Sequence, residues 1–154
     1  MCSSDILHET NLLKCSFQAL EPGRLALADR FYRAHGYKVK CAPNERVFAF
    51  VSEKNDWIGA LRLVPQGSGH YWLRNLLVAP RYRGQGFASW LLIASKPAIY
   101  PQGCYCFALP HLIPFYQRIG FDSSPGHCPP DIAAKYAQYR ARGRDWILMG
   151  YQQA

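Results

Sequence analysis

Acidic residues are missing from the middle of this chain: no Asp or Glu occurs between Trp57 and Phe121. Arg62, Arg74, Arg81, Arg83, Lys96 and Arg118 all fall in that gap, within a sequence of 154 residues whose formal net charge is +8. Such a field favours a polyanionic ligand over a polycationic one, and it leaves the gap without a carboxylate to serve as a base. Cys-x-x-Cys pairs are also missing. Cysteines stand at 2, 15, 41, 104, 106 and 128. Cys104 and Cys106 would point the same way from one strand, which suits packing better than zinc, so the thiols are read as reduced and no metal site is expected. No apolar run has the length of a membrane span, and residues 1–5 do not read as a secretory leader, so the expectation is a cytoplasmic protein without a membrane partner. With 49% hydrophobic and 18% charged residues the chain reads as globular, and its length suits a single domain over residues 1–154.

What is present is organised around residues 70–89. Tyr71 to Val78 is apolar and of strand length. Ala79-Pro80 ends it, since proline has no N–H for a ladder. Arg81-Tyr82-Arg83-Gly84-Gln85-Gly86 then turns into an apolar helical run from Phe87 to Ser95. Glycines at 84 and 86 let the backbone turn tightly and let a ligand approach it. The first amides of the helix lack partners within it, so the turn reads as an anion site, most simply for phosphate.

Around this centre, 12–20 reads as a first strand. Glu21-Pro22-Gly23 opens a helix that buries Leu25, Ala28, Phe31, Tyr32 and His35 on one face and stops at Gly36, with His35 structural. Residues 37–44 are a link. Strands follow at Arg46–Ser52 and Trp57–Val64, with turns at 54–56 and 66–69, giving a three-stranded meander into the glycine turn. Lys96-Pro97 is read as the stop of the helix. Cys104 to Leu109 is a buried strand, parallel to its predecessor if the crossover is right-handed. Pro110 opens a short helix that carries Phe115 and Tyr116 and ends at Gly120. Residues 122–145 form a long basic insertion with Ile132, Tyr136 and Tyr139 at helical spacing; a lid, a substrate wall and a plain surface insertion all suit it. The last strand is read at 145–150.

Leu76-x-Val78-x-Pro80-x-x-Arg83-Gly84-x-Gly86 resembles motif A of the GNAT N-acetyltransferase superfamily, with Arg81, Gly84 and Gly86 on the Gln/Arg-x-x-Gly-x-Gly/Ala signature. Phe115-Tyr116-x-x-x-Gly120-Phe121 resembles the family's second landmark, at the right separation. The resemblance covers residues 12–121. It implies an α/β fold with a mixed, mostly antiparallel twisted sheet of about six or seven strands and helices on both faces. It implies that the two parallel strands splay into a V for the pantetheine arm of acetyl-CoA (coenzyme A). Main-chain groups of Leu77 and Val78 would hold that arm and the carbonyl. The amides of Gly84, Gln85, Gly86, Phe87, Ala88 and Ser89 would hold the diphosphate, with Arg81 and Arg83 at the rim. Tyr116 matches the position that protonates the departing thiolate, and a phenol has the O–H and the pKa for it.

The chain departs from the family pattern in two places. Leu109 stands where an asparagine often binds the cofactor arm, and the central strand lacks the glutamate that several members use as a base. Water, His70, His111, or a carboxylate from Glu21, Asp29, Glu45 or Asp131 is left for that proton. The resemblance thus implies an N-acetyltransferase acting on a primary amine of a small molecule, a peptide or an aminoacyl-tRNA. Lys135, Arg140, Arg142 and Arg144 could track the backbone of a charged tRNA, and a homodimer is common among relatives. The alternative is a non-catalytic acyl-CoA-binding protein of the same fold. A dinucleotide-binding redox domain is excluded because Ser89 replaces the third glycine of its fingerprint.

Overall fold

The computed structural model describes residues 14–99 and 102–151. Among these residues six strands form one sheet in chain order: β1 (Cys15–Ala19), β2 (Arg46–Ser52), β3 (Trp57–Pro65), β4 (Tyr71–Val78), β5 (Cys104–Ala108) and β6 (Ile147–Tyr151). Five α-helices accompany them: α1 (Leu25–Ala34), α2 (Phe87–Ala94), α3 (Lys96–Ile99), α4 (Ile113–Ile119) and α5 (Pro130–Ala141). β1–β2, β2–β3 and β5–β6 pair antiparallel. β4 pairs parallel with β5 through Tyr71↔Cys104 and Trp72↔Tyr105. The mixed, mostly antiparallel sheet expected from the sequence is therefore the one that forms, with six strands.

Element boundaries follow local chemistry. β2 and β4 begin and end where the apolar runs do, and β3 extends one residue further, to Pro65. Of the first expected strand, residues 12 and 13 lie outside the described residues, and β1 starts at Cys15. Helical structure does not end at Lys96-Pro97. Ser95 closes α2, and Pro97 sits in the first turn of the four-residue α3, where a missing N–H costs nothing. Gly36 and Gly120, at φ +88° and +115°, follow the ends of α1 and α4. The segment 122–145 contains α5, with Ile132 buried and Tyr136 and Tyr139 half-buried. The last strand starts two residues later than expected, at Ile147.

The chain divides into two compact units, one holding residues up to Leu63 together with Arg74–Ser95, the other holding Val64–Leu73 and the residues from Lys96 onward. In the first, Phe50, Ile58, Leu61, Leu63, Leu91 and Leu92 are fully buried. Phe87, the first residue of α2, is fixed between Phe50 and Tyr82 at ring-centroid distances of 6.2 and 6.1 Å. His35 is structural, its Nδ1 2.9 Å from the Phe31 carbonyl oxygen and its ring 4.8 Å from that of Phe31. In the second unit Trp72, Tyr105 and Ile132 form the core, with Val64, Phe107, Cys128, Tyr139 and Leu148 packed against them. The Asp131 carboxylate accepts the Ser68 amide at 3.0 Å, which ties the β3–β4 turn to the start of α5.

β3 passes close to β4 at Gly59, where a Cβ would lie 2.9 Å from the Leu77 carbonyl oxygen and 3.3 Å from Val78 Cγ2. Gly59→Ala therefore forces the two backbones apart, at about 1–3 kcal/mol. A thermal melt should show Tm lowered by roughly 3–10 °C; an unchanged Tm would mean the strands separate there without strain.

Candidate functional site

The glycine turn is built from β4 outward. The Ala79 amide donates to the Ile58 carbonyl at 2.8 Å, one 3-10 turn follows at Pro80–Tyr82, and Arg83 is extended. Gly84 and Gly86 then adopt φ of +79° and +86°, a region closed to most side chains. The next amide to return to the protein is that of Trp90, which donates to the Gly86 carbonyl at 3.1 Å. Among the described residues, none of the backbone amides from Gly84 to Ser89 donates to a protein acceptor. Gly84, Gln85 and Gly86 are exposed, and a Cβ on Gly84 would meet nothing within 4 Å, so side chains do not close the turn. Unclaimed amides at the positive end of α2 make a cradle suited to phosphate oxygens. Arg81 and Arg83 are exposed beside it. The Arg81 guanidinium stands 5.0 Å from the Tyr82 ring centre, and Arg83 Nε donates to the Val78 carbonyl at 2.9 Å.

Upstream on β4, Leu77 is buried and Val78 half-buried. Asn75 has φ +55° inside the strand, a left-handed step that interrupts the regular pleat. Its carbonyl accepts the Tyr32 hydroxyl at 2.7 Å, and its side-chain Oδ1 accepts Arg62 Nη1 at 2.7 Å. Arg62 also donates from Nε and Nη2 to the two Glu45 carboxylate oxygens, both at 2.8 Å. Arg62 and Glu45 are each only 8% exposed. The expectation that Arg62 belongs to an open anion-attracting field is thus corrected: a carboxylate from outside the acid-free segment neutralises it. Burial lowers the Arg62 pKa, but its bonds and attraction to Glu45 outweigh this and hold it above the ordinary value. The sequence reading missed this network and the turn at Asn75; the tolerance of asparagine for positive φ was the one available signal.

Tyr116 sits in α4, 8% exposed, with its ring edge-on to Phe115 at 5.0 Å and to Phe121 at 5.5 Å. No protein group among the described residues takes its hydroxyl. Burial raises its pKa above the usual phenol value, with the neighbouring Cys106 and Cys104 thiols adding to the shift. Those thiols are themselves buried, and burial raises both. Cys41 is pushed up to about 12 by burial and by a bond to Asp29, so none of these three offers a thiolate nucleophile at neutral pH.

His70 has Nδ1 3.3 Å from Ser68 Oγ and packs at 5.6 Å from Tyr105 and 6.5 Å from His127. His111 is exposed in the short 3-10 turn at Pro110–Leu112. Of the carboxylates considered as bases, Glu45 is taken by Arg62, Asp29 accepts the Cys41 amide at 2.8 Å, and Asp131 accepts Ser68 and Ile132 amides. On and after α5, Lys135, Arg140, Arg142 and Arg144 stand over the rings of Trp72, Tyr136, Tyr139 and Trp146 at 5.2–6.0 Å.

No curated protein matches the sequence. Among solved structures, Escherichia coli ElaA shares 13% identity over 89% of this chain and 99% of its own, with a TM-score of 0.62. N-acetylglutamate synthase from Neisseria gonorrhoeae, complexed with coenzyme A and N-acetyl-glutamate, shares 14% identity over 89% of this chain and 34% of its own, also at 0.62. A chimaera of the spermidine N-acetyltransferase SpeG from Vibrio cholerae and hSSAT shares 15% identity over 89% and 94%, at 0.57. Identities this low speak for the fold. The sequence profile of the Acetyltransferase (GNAT) family matches residues 10–121, over both landmark motifs and the turn whose amides stand unclaimed. The chain belongs to that family.

Proposed function

We propose that this protein is an acetyl-CoA-dependent N-acetyltransferase that moves an acetyl group to a primary amine. One observation carries the reading: consecutive backbone amides from Gly84 to Ser89 have no protein acceptor among the described residues, at the positive end of an eight-residue helix. These donors, with Arg81 and Arg83 beside them, fit the coenzyme's diphosphate. Bound there, the coenzyme supplies an acetyl thioester.

The chain's own groups do the rest by orientation and proton transfer. Main-chain groups of Leu77 and Val78 orient the pantetheine arm and hold the acetyl carbonyl, which polarises it toward attack by the amine nitrogen. The transfer would exchange the thioester's C–S bond for a bond to the amine nitrogen, with the electron pair left on sulfur. The Tyr116 hydroxyl, with no protein partner among the described residues, is the proton donor for that sulfur. The ammonium proton leaves to water, to His70 or to His111; of the carboxylates considered, Glu45, Asp29 and Asp131 are engaged elsewhere and Glu21 is exposed. The exposed cations at 140, 142 and 144 support an aminoacyl-tRNA among the acceptors. Acetylation of charged tRNA should then fall steeply between low and moderate salt, while that of a small amine does not.

Left-handed backbone costs an L-residue about 1–2 kcal/mol, so Gly86→Ala should weaken coenzyme binding about tenfold by calorimetry. Tyr116→Phe should lower kcat about 10²-fold while the coenzyme Kd stays within about twofold. Because burial raises the phenol's pKa, Tyr116 stays protonated through the neutral range, and kcat should show no alkaline loss from this group below about pH 10. Tight coenzyme binding with no thiol release on any amine would instead identify the non-catalytic acyl-CoA binder.

A further inference from the structure

Asn75 is the one non-glycine residue inside a strand with a left-handed backbone among the described residues, and it is held from two sides. Tyr32 of α1, fully buried, donates its hydroxyl to the Asn75 carbonyl, while Arg62 of β3 donates to the Asn75 side chain. Arg62 is itself held in a bidentate pair by Glu45, and Glu45 Oε2 is anchored by the Ala42 amide at 3.0 Å. A left-handed residue in a strand turns a peptide group out of the ladder, and such strain persists only where the surroundings over-determine it. Buried ion pairs add little net stability, since an apolar replacement is often as stable; what they hold is one geometry.

We propose that Tyr32, Arg62 and Glu45 form a positioning clamp that keeps Asn75 left-handed and so aims the β4 main chain leading to Leu77 and Val78 at the acetyl carbonyl. The clamp rests on the acetyltransferase reading given above. None of its side chains need touch the coenzyme; each acts through the backbone of β4. The chain can thus place the carbonyl without a side chain on the acid-free central strand.

The test separates backbone direction from side-chain identity. Glycine adopts positive φ freely and valine does not. In the full-length protein, Asn75→Gly, which keeps the left-handed backbone but gives up the Arg62 bond, should lower kcat less than about tenfold, and Asn75→Val should lower it about 10²-fold, as a misplaced reacting group does. Tyr32→Phe, which removes one hydrogen bond and keeps the ring, should lower kcat about fivefold. All three should bind acetyl-CoA within about threefold of the parent, because the diphosphate turn is untouched. A second readout needs no turnover: the infrared carbonyl stretch of bound 13C-labelled acetyl-CoA should move to lower frequency in the parent and in Asn75→Gly. It should return toward the free value in Tyr32→Phe and Asn75→Val. If Asn75→Val does not fold by circular dichroism, Tyr32→Phe and Asn75→Gly decide. The clamp is overturned if Tyr32→Phe keeps both the parent's kcat and its carbonyl shift, or if Asn75→Gly loses both. A parent protein that binds no acetyl-CoA overturns the coenzyme reading itself, and the clamp with it.

Discussion

A guanidinium removed from water must have its charge answered and its N–H groups met, and in this chain that requirement falls on Arg62. Its two bonds to Glu45 and its third to Asn75 join the residue just before β2, strand β3 and strand β4 through one planar group. Removing either Arg62 or Glu45 would strand the other's buried charge, at a cost of about 3–5 kcal/mol. The pair therefore commits three segments to one arrangement, and the left-handed turn of β4 is part of it. Where β3 passes Leu77 it has no side chain at all, because Gly59 brings the backbones within reach of each other.

The same unit builds the glycine turn by opposite means. There the amides from Gly84 to Ser89 meet no protein acceptor among the described residues, and order comes from apolar fixing on either side. Phe87 between Phe50 and Tyr82 pins the first residue of α2, and Leu91 and Leu92 are fully buried behind it. A helix start held this firmly can present bare amides to solvent without collapsing onto a protein acceptor. Preorganised donors of this kind lose little entropy when an anion arrives.

Most of this was legible where the signal is local. Strands β2 and β4 are apolar runs closed by turn residues or proline, and the structure begins and ends them at those residues. The turn at 84–86 was legible because only glycine serves two positive φ values so close together. Ile132, Tyr136 and Tyr139 announced α5 by spacing alone. What stayed hidden depends on contacts distant in sequence. Glu45 lies 17 residues from Arg62 and Tyr32 lies 43 from Asn75, and no periodicity reports such pairings. α2 stops before Lys96-Pro97 as expected, while the short α3 stayed hidden because a proline in the first turn opens a helix as readily as it stops one. The engagement of Asp29 and Asp131 by the Cys41 and Ser68 amides was likewise invisible, so both carboxylates stood as free acids in the sequence when the fold had already used them.

The two compact units are each assembled from two separate stretches of chain, with residues 64–73 belonging to the later one and 74–95 to the earlier. A single backbone cut in the exposed Gly67-Ser68-Gly69 tip would thus release no intact unit. Each fragment would carry part of both, and the contacts within each unit would hold the nicked halves together. Reassembly from separately made halves, split in that tip, is a property this interleaving confers, and one that a chain of consecutive modules would lack.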